Sequence, residues 1–141
     1  MLDLQPGLAR KAFMGNDPAV FEATRDSAAN LLKIVYSGKV SPEETRDCRD
    51  QIRLLLADLK PGFRLLSDFR SLDVMDLGCV PFIKEVMDLC NDAGISRVVR
   101  IIPDPHKDIG LNIMSLFHYR RGVRILTCET LDQAEKMLGP D

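Results

Sequence analysis

The stretch Asp68-Phe-Arg-Ser-Leu-Asp-Val-Met-Asp76-Leu-Gly-Cys-Val80 decides the reading of this chain. It follows Phe63-Arg-Leu-Leu-Ser67, a run with the character of a strand. It precedes a run from Pro81 to Ala93 whose apolar residues recur at helical spacing. One acidic residue, Asp68, ends the strand-like run, and a second, Asp76, opens the helix-like run eight residues later. A strand that passes through a loop into a helix is the repeating unit of an α/β protein. Ligands of such sheets collect at the carboxyl ends of the strands, where this loop lies.

Outward from this loop the same unit recurs. Ala19–Thr24 reads as a short strand and Asn30–Ser37 as a second. The short link Arg25–Ala29 favours an antiparallel hairpin. Ser41-Pro-Glu-Glu44 is a helix start: Ser41 caps, Pro42 suits the first position and Glu44 completes a capping box. Cys48, Ile52, Leu55, Leu56 and Leu59 then form an apolar stripe, ended by Lys60-Pro-Gly62. The helix Leu77–Ala93 carries Val80, Ile83, Val86, Met87 and Cys90 on one side, and Gly94 ends it. Strand Arg97–Ile102 leads to a helix from about Pro105 to Arg120. Strand Val123–Thr127 leads to a last helix, Leu131–Leu138, with Thr130 and Gln133 as its capping box. Residues 1–17 lack clear periodicity and read as an N-terminal arm, and 18–141 read as a single α/β domain.

Alternating strands and helices predict a largely parallel sheet with right-handed crossovers. The strands are interrupted by Lys33, Ser67, Arg100 and Arg124, so they are not those of a sheet covered on both faces. The expectation is a five-stranded mixed sheet with an antiparallel N-terminal strand and helices mainly on one face. Arg100 and Arg124 are expected together on the half-polar face. With Lys33, and with Arg64 and Arg97 nearby, they would form a basic stripe for an acidic partner or a lipid headgroup. The competing reading is a solvated sheet face.

The Asp68–Val80 loop resembles the signature of the STAS superfamily, the sulfate-transporter and anti-sigma-factor-antagonist domains. There the pattern runs roughly Asp-Leu-Ser-Gly-Val-x-Phe-Ile-Asp-Ser-Ser/Thr-Gly-Leu. The resemblance covers about Val20 to Leu138 and points to the small SpoIIAA-like proteins that stand alone. It implies a short right-handed βα superhelix and a non-catalytic module that binds a protein partner through the loop and the helix after it. Carried over by position, the partner-binding residues are Asp76, Leu77, Gly78 and Cys79. Asp76 matches the family's acidic residue. Leu77 stands where the family has its phosphorylatable Ser, and Cys79 stands where Gly is usual. Both departures argue against switching by a kinase.

Composition narrows the classes further. With 141 residues the chain fits one domain, and 45% apolar with 28% charged residues is an ordinary globular balance. A net charge of −2 gives no footprint for nucleic acid or an anionic membrane. No apolar run approaches the roughly 20 residues of a membrane span. Residues 1–16 lack the apolar core of a secretion signal, so a cytoplasmic location is expected. Cys48, Cys79, Cys90 and Cys128 form no C-x-x-C pair, and His106 and His118 are isolated, so neither a metal centre nor a cofactor is expected.

A second candidate site is the edge formed by Asp68, Asp104, His106 and Cys128, each at or just after a strand end. Asp68, Asp73 and Asp76 would suit a hard cation, but capping by Asp76 and solvation of Asp73 explain the same residues. Asp104 and Pro105 start a helix in the ordinary way, which places His106 near free backbone N–H groups that favour anions. No base and nucleophile can be placed together, so a small hydrolase is the least supported class. The alternative to a protein-binding module is a carrier of a small apolar or anionic ligand or a lipid, its pocket lined by Phe69, Met75, Met114 and Phe117. Leu31, Val35, Val98 and Ile102 are expected to need cover from the N-terminal arm or from a second subunit in a homodimer.

Overall fold

The computed structural model describes residues 21–102 and 122–139. Strands β1, Phe21–Asp26, and β2, Leu31–Val40, form the expected antiparallel hairpin. Its turn is closed by Asn30 N–H donating to the Ser27 carbonyl at 3.2 Å, and Asn30 adopts φ 54, which asparagine tolerates. The Asn30 amide then holds the far side of the next helix: Nδ2 donates to the Lys60 carbonyl at 3.2 Å, and Lys60 N–H donates to Oδ1 at 2.9 Å.

Helix α1, Pro42–Leu56, starts as its sequence requires. Ser41 N–H donates to Glu44 Oε1 at 2.9 Å, and Glu44 N–H donates to Ser41 Oγ at 3.4 Å. Strand β3, Arg64–Met75, leads through a 3-10 turn, Leu77–Cys79, into helix α2, Val80–Ala93. Gly94 ends α2 at φ 94, and a methyl group there would lie 2.9 Å from Pro61 Cβ, so this position requires glycine twice over. Strands β4, Arg97–Ile101, and β5, Arg124–Cys128, and helix α3, Leu131–Leu138, complete the described elements. The arm, the helix expected from about 105 to 120, and residues 140 and 141 lie outside the described residues.

The five strands run in the order β1-β2-β3-β4-β5, with only β1 antiparallel. This is the expected mixed α/β sheet. Leu32 aligns with Leu65, and Leu65 with Val98, on the face covered by α1 and α2. There they pack with Cys48, Ile52, Ile83, Val86, Met87 and Cys90. Leu66, Val99 and Ile101 point the other way and pack with Cys128 and with Ala134 and Leu138 of α3. Two of the three described helices therefore share one face.

The expected basic stripe is split by the strand register. Arg100 aligns with Ser67 and Thr127, whereas Arg124 aligns with Arg97 and Arg64. Lys33 aligns with Leu66. Side chains alternate along a strand, so Arg100 lies on the face of α1 and α2, while Lys33 and Arg124 lie on the face of α3. Alternation is readable within one strand, but alignment between strands is not, and a shift of one residue exchanges the faces. Val98 and Ile102, expected to need cover from outside, are buried in the core beneath α1 and α2, and Leu31 leans on the cluster beneath α3.

Arg64, Arg97 and Arg124 instead form a row across β3, β4 and β5 at the amino-terminal edge of the sheet. Arg64 Nη1 donates to the Leu138 carbonyl at 3.0 Å and also to that of Gly139, and its Nη2 donates to the Ala29 carbonyl. Arg97 Nη1 donates to Met137 and Leu138 carbonyls at 2.9 and 2.7 Å. These carbonyls are the unpaired negative end of α3, so two guanidinium groups cap the helix and fix it to the sheet. Replacing the buried Arg64 with Met removes these donors and strands the carbonyls. We expect Arg64→Met to lower stability by roughly 3 kcal/mol, read as a lower urea midpoint. Hydrogen exchange of α3 amides should accelerate before that of α1 or α2.

Candidate functional site

The loop is carried on an extension of β2 and β3. The β3–β4 ladder ends where Asp68 meets Ile101, but β2 and β3 continue through Ser37–Ser71, Gly38–Leu72, Lys39–Val74 and Val40–Met75. Between Val35–Asp68 and Ser37–Ser71 strand β2 advances two residues while β3 advances three, and a second extra residue enters before Lys39–Val74. Such bulges bend a strand and re-aim the segment beyond them. Asp68 is therefore not the end of β3 but its middle, and Asp73 lies in the strand rather than on the loop. The strand end expected at Asp68 fails because β2 remains available as a pairing partner up to Val40.

The turn after β3 is held at several points. Asp76 N–H donates to the Val40 carbonyl at 3.2 Å, and Cys79 N–H donates to the Asp76 carbonyl at 2.9 Å. Asp76 Oδ1 accepts from Gly78 N–H at 2.7 Å, so the carboxylate shapes the turn as a cap. Gly78 sits against the start of α1: a methyl group there would lie 2.8 Å from Pro42 Cγ and 3.1 Å from Asp76 Oδ1. Cys79 is buried, and its thiol donates to the Val40 carbonyl at 3.5 Å. Burial pushes that thiol above the usual cysteine range. Of the four residues expected to bind a partner, Asp76, Leu77 and Gly78 are at the surface, while Cys79 is an anchor beneath them. Leu77 is 85% exposed and Val74 is 49% exposed. Pro42 and Val40 seat the turn without announcing it in the sequence, where Pro42 carries only the signal of a helix start.

The second candidate site is only partly within view, since Asp104 and His106 lie outside the described residues. Asp68 is buried beside Arg70, which donates to it three times: N–H to Oδ1 at 3.0 Å, Nε to Oδ1 at 3.0 Å and Nη2 to Oδ2 at 2.7 Å. Burial alone would raise the Asp68 pKa, but the Arg70 hydrogen bonds and the charges of Arg70 and Lys33 together hold it below the ordinary carboxylate range. Cys128 is buried, its thiol raised by desolvation and directed at the Arg100 and Thr130 carbonyls at 3.6 and 3.5 Å. Asp68 and Cys128 share a face, each aligned with Ile101 between them. Two strand spacings put them roughly 10 Å apart, beyond proton transfer. Cys48 is strongly raised by burial, and Cys90 is pushed up to about 12 by the same cause. Among the described residues no three His, Cys, Asp or Glu side chains converge as metal ligands.

Phe69 stacks on Tyr36, with ring centroids 4.6 Å apart and planes 11° from parallel. Both rings line a cavity of about 30 Å³ between the sheet and α2, together with Leu65, Ser67, Ile83, Met87 and Arg100. That is room for roughly one or two waters.

No family model matches the chain, and no curated protein matches it significantly. Solved structures do. The chain resembles an uncharacterized protein of the DUF3478 family with a SpoIIAA-like fold from Shewanella loihica PV-4. The TM-score is 0.64 at 18% identity, covering 84% of this chain and 91% of that one. The Bacillus cell fate determinant SpoIIAA in its phosphorylated form aligns with TM-score 0.59 at 15% identity, covering 84% and 98%. A putative anti-sigma factor antagonist from Thermotoga maritima aligns with TM-score 0.57 at 9% identity, covering 84% and 93%. The fold is thus SpoIIAA-like, the fold that the Asp68–Val80 loop implied. No described helix is long and apolar enough to cross a membrane.

The depressed Asp68 pKa has a definite sign. A carboxyl with a lower pKa folded than unfolded stabilises the protein above the unfolded value, near 3.9, and that contribution is lost as pH falls through the folded value. We expect Asp68→Asn to cost about 1–2 kcal/mol at pH 7, the weight of charge-assisted hydrogen bonds with a partly exposed partner. The difference in urea unfolding between variant and wild type should shrink as pH falls below about 3.9, and a difference undiminished in acid would refute the assignment.

Proposed function

We propose that this chain is a non-catalytic regulatory module of the cytoplasm that binds a protein partner through the Asp76–Gly78 turn and the first turn of α2. The observation that carries this reading is a large apolar side chain, Leu77, held in solvent by a turn whose neighbours on both sides are fixed. Anti-sigma factor antagonists among the structurally similar proteins support a regulatory role, and SpoIIAA has been solved both phosphorylated and unphosphorylated. Leu77 has no hydroxyl, so in this module the turn is not a phosphate switch. The carrier reading gains little from the cavity that Phe69 lines, which is too small for a lipid chain, and Met114 and Phe117, expected beside it, lie outside the described residues. The enzyme reading gains nothing from Asp68 and Cys128, which are buried and engaged with the backbone or Arg70.

Intact-complex mass spectrometry of the protein taken natively from its own host tests the module. We expect a complex with a different polypeptide. A chain carrying only a small molecule would favour the carrier, and a mass of two chains alone would mark the homodimer as the assembly.

Gly78→Ala supplies a second test. The added methyl cannot coexist with the present Pro42 contact, so the turn must move away from α1. We expect the fold to survive with a loss of about 1 kcal/mol and partner binding to fall at least severalfold. Unchanged binding would place the interface elsewhere.

A further inference from the structure

Resting on the reading of the turn as a partner-binding surface, we infer that Leu77 determines which partner binds. It is an apolar anchor that requires an apolar recess, and it rejects a surface built to read a serine hydroxyl or a phosphate.

Leu77 cannot shelter itself. Asp76 before it is tied to Val40 and to Gly78, Gly78 after it is seated on Pro42, and Cys79 already fills the space beneath. The side chain stays 85% exposed, flanked in the chain by the exposed Val74 and Pro81. A lone exposed leucine is commonplace where the backbone is ordinary helix, as at Leu54 on α1, which is 69% exposed. Leu77 differs because a pre-formed turn presents it at the entry to α2. A rigid apolar projection loses little freedom on docking, which is what concentrates binding energy in few residues. Full burial of a leucine corresponds to roughly 10- to 100-fold in affinity. A recess whose donors bind a hydroxyl or phosphate would have them left unpaired by the leucine, so the same residue that selects one partner excludes the other.

The test places the photo-crosslinker p-benzoylphenylalanine at position 74, leaving Leu77 intact, and irradiates the protein in cells of its own host. The adduct is identified by mass spectrometry. The purified partner is then titrated with wild type, Leu77→Met, Leu77→Ser, Leu77→Asp and the control Leu54→Ser. We expect the crosslinked peptide to be apolar and Met to bind within about threefold of Leu. Ser should bind roughly 10- to 100-fold more weakly, Asp more weakly still, and Leu54→Ser as wild type. Ser or Asp binding as tightly as Leu would overturn the anchor while leaving the turn as the surface. The absence of any adduct at position 74 would overturn both. Circular dichroism of each variant separates lost affinity from lost folding.

Discussion

The turn that carries Leu77 depends on the parallel pairing of β2 with β3. Their ladder is the longest in the sheet, running from Leu31–Arg64 to Val40–Met75, while β4 leaves β3 at Asp68. More than half of β3, from Phe69 to Met75, is thus held from β2 alone among the described strands. Two extra residues on β3 bend the ribbon as it leaves the sheet. Val40 closes the arrangement. Its carbonyl accepts from Asp76 N–H and the Cys79 thiol, and it stands one residue before Ser41, which caps α1. The start of α1 and the turn before α2 are therefore one construction, and Pro42 serves as both first helical residue and seat for Gly78.

The opposite edge solves an electrostatic problem. Arg64, Arg97 and Arg124 stand side by side on three neighbouring strands, and like charges so placed repel. The carbonyl end of α3 offsets this for the first two, with the Leu138 carbonyl shared between them. The helix gains in turn. It has eight residues, buries only Ala134 and Leu138, and is too short to persist alone. Its Thr130 cap, which accepts from Gln133 N–H at 3.2 Å, fixes one end and the arginines fix the other.

Local chemistry and the sense of strand pairing were legible, whereas strand length and register were not. The capping box at Ser41, the Thr130 side-chain cap, the stripe from Cys48 to Leu56, the Gly94 stop and the order of the described elements all arise from rules acting within a few residues. The length of β3 was not legible, because Ser71, Asp73 and Val74 look like loop until β2 is laid beside them. Nor were the faces of Arg100 and Arg124, which depend on a register between strands far apart in sequence. Among the site residues, Asp76 and Leu77 emerged from the motif where the structure places them, at the surface. Cys79 did not, since a thiol in a loop motif gives no sign of whether it points at solvent or at the Val40 carbonyl.

The two acids that made the motif conspicuous prove to have different duties, and neither is free for chemistry. Asp68 is neutralised by Arg70 and completes a buried ladder end, while Asp76 commits one carboxylate oxygen to the backbone of its own turn. Both determine where the segment between them goes rather than what it reacts with. The residue between Asp76 and Gly78 has no polar group at all. With its two signature acids consumed by its own geometry, the motif holds leucine at the exposed apex of the turn, where there is no hydroxyl to modify.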